Sequence, residues 1–142
     1  MKMYSLNRKH AKILDKYVKF IQGIIYEATE DCEAQKFEDF NEILINIVNY
    51  VNAFKTVVKN SSRVNEWAYM TPNLMLYACM GFLSGIRNKK NKKGIDELSE
   101  VLFERTVDFV GETSDILYEM EEKSEIKRRI KQIKKERNEH NS

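Results

Sequence analysis

One proline and five glycines are all the strong backbone punctuation this chain carries in 142 residues. A sheet-rich domain turns back on itself roughly every ten residues, and its tight turns draw on Gly, Pro and Asn-Gly pairs to reach their dihedral angles. So few breakers predict an all-α chain whose helices end where the breakers fall. A length of 142 residues suits a single domain around a single core, and 42% hydrophobic with 32% charged residues is the composition of a folded domain.

Hydrophobic periodicity fills in the helices. Ser5 is the expected cap of a first helix with the buried stripe Ile13, Leu14, Tyr17, Val18, Ile21, Ile24, Ile25, Ala28 and Cys32, ending near Gln35. A second stripe starts at Phe37 and runs through Phe40, Leu44, Ile47, Val51 and Phe54 to Val58, closing at Asn60-Ser61-Ser62. A short helix carrying Val64, Trp67, Ala68 and Met70 is predicted next. Thr71-Pro72 then reads as an N-cap followed by proline at the first helical position, where a missing N–H costs nothing. The helix it opens, to Asn88, is apolar nearly all round. That pattern predicts a central helix surrounded by others, with Gly81 and Gly85 buried against close neighbours. Asp96 caps the last helical region, with Leu98, Val101, Leu102, Phe109, Val110, Ile116, Leu117 and Met120 as its stripe. The reading is a bundle of about five helices over residues 1–122, with 123–142 as a charged helical extension. Ile126, Ile130 and Ile133 follow one edge of that extension.

The formal charge is only +2, but it is segregated. Residues 1–20 sum to +5, 21–48 to −6, 87–93 to +5, 94–126 to −9 and 127–142 to +5. Blocks of one sign give a near-neutral molecule local fields that steer polyanions or oppositely charged proteins. Two basic clusters are the candidate nucleic-acid contacts: Arg87, Lys89, Lys90, Lys92 and Lys93 on the loop after the apolar helix, and Lys127, Arg128, Arg129, Lys131, Lys134 and Lys135 in the extension. Cations at helical spacing follow a phosphate backbone without reading base edges. The plainer alternative is a solvated helix end, because glutamates precede the cations in the order the helix dipole favours and Glu125 stands four residues before Arg129. The cations of the first helix, Arg8, Lys9, Lys12, Lys16 and Lys19, make a third block.

Catalytic chemistry has thinner support. The carboxylate pairs Glu27 with Glu30 and Glu112 with Asp115 each share a helical face, a spacing that can hold Mg²⁺. The segment GETSDILYEM resembles the E-x-x-D segment of the all-α nucleoside triphosphate pyrophosphatases, and that resemblance implies Mg²⁺-dependent nucleotide hydrolysis. His10 and His140 have no ligand-spaced partners, and Cys32 and Cys79 read as reduced core residues. The chain is therefore expected to be a non-enzymatic, cytoplasmic, bacterial or phage binding subunit with no cofactor. It would pack on a protein partner and touch nucleic-acid phosphates, it has no membrane segment, and pairing with a second copy is compatible with it. The first alternative is a protein-only binder or inhibitor, for example phage-encoded, using the acidic face of Glu97, Glu100, Glu104 and Asp108; the second is the pyrophosphatase.

Overall fold

The computed structural model describes residues 3–4, 6–34, 37, 40–59, 64–65, 70–89 and 94–140. Helices α1 (Arg8–Ala34), α2 (Asn41–Lys59), α3 (Thr71–Arg87) and α4 (Ile95–His140) make up nearly all of it. The all-α expectation holds, with four helices where five were predicted. Val64 and Asn65, placed by periodicity in a short helix, instead form a strand β2 (Val64–Asn65) that pairs antiparallel with β1 (Met3–Tyr4). Trp67 and Ala68 lie outside the described residues.

Three helix starts also differ from the sequence reading, and at the last of them α4 begins at Ile95 with Asp96 inside its first turn instead of capping it. Asn7 caps α1, its Oδ1 accepting the backbone N–H of His10 at 2.8 Å, while Ser5 lies outside the described residues. Asn is as good a cap as Ser, so proximity to the first buried residue decides between them. Thr71 is already helical: Met70 holds the cap position without a side-chain bond, and Pro72 occupies the first turn. Gly94 ends the connection before α4 at φ 91°, the left-handed region that favours glycine, and its carbonyl accepts the N–H of Leu98.

Each helix packs on its sequence neighbours and α1 closes the ring on α4. Tyr17 of α1 and Phe54 of α2 both meet Phe109 of α4, with ring centroids 5.6 and 5.0 Å apart. Phe40, just before α2, meets Phe82 of α3 edge-on at 5.7 Å. The core is the set of inward stripes: Leu14, Ile21 and Ile25 from α1, Leu44, Ile47 and Val51 from α2, Met75, Phe82 and Ile86 from α3. From α4 comes an unbroken three-four alternation of Ser99, Leu102, Thr106, Phe109, Thr113, Ile116 and Met120, all buried. This is the seven-residue repeat of helices packed at shallow angles. Its three hydroxyls cost little, because each donates to a carbonyl of its own helix: Ser99 to Asp96, Thr106 to Leu102, Thr113 to Phe109.

The ring arrangement corrects the reading of α3. It packs on α2 and α4 and is not enclosed. Leu74, Tyr77 and Met80 stand 47, 72 and 47% exposed. Gly85 is indeed a close-approach position, since a Cβ there would run into the Phe40 ring, but Gly81 is exposed and a Cβ there would meet nothing within 4 Å.

Cys32 and Cys79 are both buried and unbridged. Burial pushes the Cys79 thiol up to about 11 from an ordinary 9.0, slightly offset by the contact of its Sγ with Thr106 Oγ1 at 3.6 Å. The unfolded chain therefore loses this proton first as pH rises, so stability is expected to fall between about pH 9 and 11, by up to about 1.4 kcal/mol per pH unit. Other groups titrate in that window, so the check is urea unfolding of wild type beside Cys79→Val. The variant should lose part of the alkaline decline, and identical pH slopes for the two proteins would contradict the assignment.

Candidate nucleic-acid interface

The described members of the loop cluster, Arg87 and Lys89, sit at the opposite end of the bundle from the cations of the extension. His10 Nε2 is 3.1 Å from Glu119 Oε2, and Arg105 lies over the Phe20 ring at 4.7 Å, so α1 and α4 run antiparallel. The loop after α3 is at the other end, where α4 begins. From Ile95 to Met120, α4 climbs about 38 Å at 1.5 Å per residue. A single compact patch cannot contain both sets.

At the loop end the cations turn back on the body. Arg87 Nη2 is 4.0 Å from Glu100 Oε1, and Lys89 Nζ lies over the rings of Phe37 and Phe40 at 5.6 and 5.4 Å. A half-buried ammonium on two ring faces gains cation–π attraction and is correspondingly less available to a phosphate. Lys90, Lys92 and Lys93 lie outside the described residues.

At the other end the geometry differs. α4 runs without a break from the body into the extension, and Met120 is its last buried residue. Continued past Met120, the three-four alternation that lines the core passes through Lys123, Lys127, Ile130, Lys134 and Arg137. The inward face of the helix thus becomes cationic where there is nothing left to pack against. Residues 122–124 and 126–140 are all exposed, and roughly 30 Å of single helix stands clear of the bundle.

Charge is displayed unevenly along this extension. Glu125 holds both arginines beside it: Arg128 donates to its two oxygens at 3.2 and 2.7 Å, and Arg129 Nε donates at 3.3 Å. Arg128, with Arg129 second, keeps the Glu125 carboxyl below its ordinary value. Lys123 is likewise tied to Glu119 at 3.2 Å. By contrast Lys127, Lys131 and Lys134, at i, i+4 and i+7, lie on one side of the helix, and no ion pair joins them to another described residue. These three make the open cationic stripe.

The antiparallel pairing of α1 and α4 brings part of the first-helix block of cations to the base of the extension. Arg8, Lys9 and Lys12 are exposed on the first turns of α1, at the end from which the extension leaves. His10 beside them is buried, with Nδ1 lacking a hydrogen-bond partner among the described residues. Tyr17 is half-buried on Phe109, and burial, with Glu112 and Asp108 nearby, raises its hydroxyl above the ordinary value.

The carboxylate pairs do not converge. His10 faces Glu119 and Phe20 faces Arg105, so Glu112 lies level with α1 near residue 15. Glu27 is about a dozen residues further along, close to 20 Å up the axis. Among the described residues no three His, Cys, Asp or Glu side chains are grouped to hold a metal ion. No helix among them is long and apolar enough to cross a membrane.

Fold and site together define a four-helix antiparallel bundle whose last helix outruns the body as a basic arm. No protein-family model, curated protein or solved structure matches this chain.

Proposed function

We propose that this chain is a small helical binding subunit or adaptor, without an enzymatic site of its own, that packs on protein partners and grips nucleic-acid phosphates through the arm. The observation that carries the reading is that the α4 core stripe continues beyond Met120 through Lys123, Lys127, Lys134 and Arg137, with Lys127, Lys134 and the adjacent Lys131 in no ion pair with another described residue. A stripe of this kind neutralises phosphates without hydrogen-bonding base edges, so binding is strong at low salt and indifferent to sequence. Three or more phosphates neutralised on a duplex give a salt slope near −3, which is about a fiftyfold loss of affinity between 50 and 200 mM salt. A fluorescence-anisotropy titration over that range, on duplexes of unrelated sequence, reads it. An affinity that ignores salt, or no binding at low salt, sinks the proposal.

A second reading has its own observation. Glu97, Glu104, Asp108 and Asp115 are all exposed on the outward side of α4, and Arg105 is laid away from them over Phe20. A ridge of this sign suits a basic protein partner. Under it, Glu104→Lys with Asp108→Lys abolishes capture of that partner while the arm lysines are dispensable.

A further inference from the structure

From Thr71 to Ile86, sixteen residues pass without a charged side chain, in a protein 32% charged. Since α3 is at the edge of the ring, part of that uncharged surface, Leu74, Tyr77, Met80, Gly81 and Ser84, is exposed. Tyr77 stands 72% exposed, and Leu74, Met80 and, on α4, Val107 are 43–47% exposed. An aromatic side chain carries 150–250 Å² of surface, so Tyr77 alone leaves about 150 Å² uncovered. With its neighbours the face reaches the several hundred Å² that on a monomer marks an interaction site.

The shape of the face identifies its occupant. Its outward line runs Leu74, Tyr77, Gly81, Ser84: two large side chains, then two small ones. Beside the small half lies a groove of about 730 Å³ between α3 and α4, lined by Met80, Leu83, Ser84 and Phe103 together with the polar Arg87, Asn88, Glu100 and Glu104. Each molecule therefore carries one knob and one recess about 10 Å apart along the same helix. Gly81 leaves open room on this line, since no described atom lies within 4 Å of where its Cβ would be, as at Gly23 and Gly111. A knob and a recess related this way match themselves under a two-fold axis.

We propose that this face pairs two copies of the chain, α3 against α3 antiparallel, with Tyr77 over the second copy's Gly81 and Leu74 over its Ser84. The axis passes at the level of Cys79 and Thr106, which touch within each bundle, and brings Val107 near its own counterpart. Covering the face in both copies takes the buried area toward the roughly 1,000 Å² at which stable association begins. The pairing does not involve the arm, so it stands or falls separately from phosphate binding.

Sedimentation equilibrium of the full chain between about 1 and 100 μM tests it, that range spanning dissociation constants typical of modest interfaces. The expected result is a two-chain mass that becomes a single-chain mass in Gly81→Arg, with association weakened about a hundredfold or more and with unchanged helical circular dichroism, since the position has open room in the monomer. Val107→Cys is expected to cross-link the pair on mild oxidation, which reports the axis even if Gly81→Arg folds poorly. A wild-type chain that keeps a single-chain mass at the top of the range overturns the proposal. So does a pair that survives Gly81→Arg but dissolves when Ile126, Ile130 and Ile133 become serine, because then the arms make the contact.

Discussion

Reversing Lys127, Lys131 and Lys134 to glutamate is expected to lower nucleic-acid affinity about a hundredfold or more at low salt and to flatten the salt slope by about three. The change takes residues 127–142 from a net +5 to a net −1, so a polyanion meets repulsion where it met counterion release. The arm makes no buried contact beyond Met120, so the thermal midpoint should stay where it is, which separates lost binding from lost folding. Replacing Arg128 and Arg129 with alanine is expected to do less. Glu125 already holds both, and exposed pairs of this kind contribute little to stability. Anisotropy titrations of the two variants beside wild type decide the matter; a triple reversal that binds like wild type would refute the arm as the contact.

Phe109→Ala is expected to cost about 3–5 kcal/mol, a large part of the 5–15 kcal/mol that holds an ordinary domain together. The ring is fully buried and bridges three helices, meeting Tyr17 of α1 and Phe54 of α2 from α4. Its loss opens a cavity where the helices meet and also removes two ring contacts, each worth up to about 1.5 kcal/mol beyond area. In a chain of this length the thermal midpoint should fall by roughly 10 °C or more. Ile130→Ala is the control. That residue is 48% exposed on the arm, and its truncation should leave the midpoint unmoved. Calorimetry on both variants reads the contrast, and a Phe109→Ala protein that melts like wild type would mean the three helices do not share this ring.

The helices themselves were legible because their signals are local. The stripe from Leu14 to Cys32 and that from Phe40 to Phe54 are inward-facing, and α3 runs to Arg87, one residue short of the expected end. The arm was legible as a charged extension, and Lys127, Lys131 and Lys134 stand among its candidate contacts by sequence. Counting the three-four alternation forward from Ser99 to Met120 leads to Lys123, Lys127, Ile130, Lys134 and Arg137. Ion pairing could be foreseen for Glu125 with Arg129, four residues apart, but the capture of Lys89 by Phe37 and Phe40 joins residues some fifty apart in sequence, and no spacing rule reaches that far.

Periodicity and scarcity of breakers were enough for the helical class, the inward stripes and the charged arm, since each follows from side chains within a turn or two of one another. The order of helices around the ring was not, because contact between distant segments depends on which faces complement one another in three dimensions. That order places the described members of the two basic clusters at opposite ends, gathers Arg8, Lys9 and Lys12 at the foot of the arm, and leaves one side of α3 bare. An apolar helix reads identically whether protein covers it on every side or on only part of its circumference, since composition records what a surface is made of and not what lies against it.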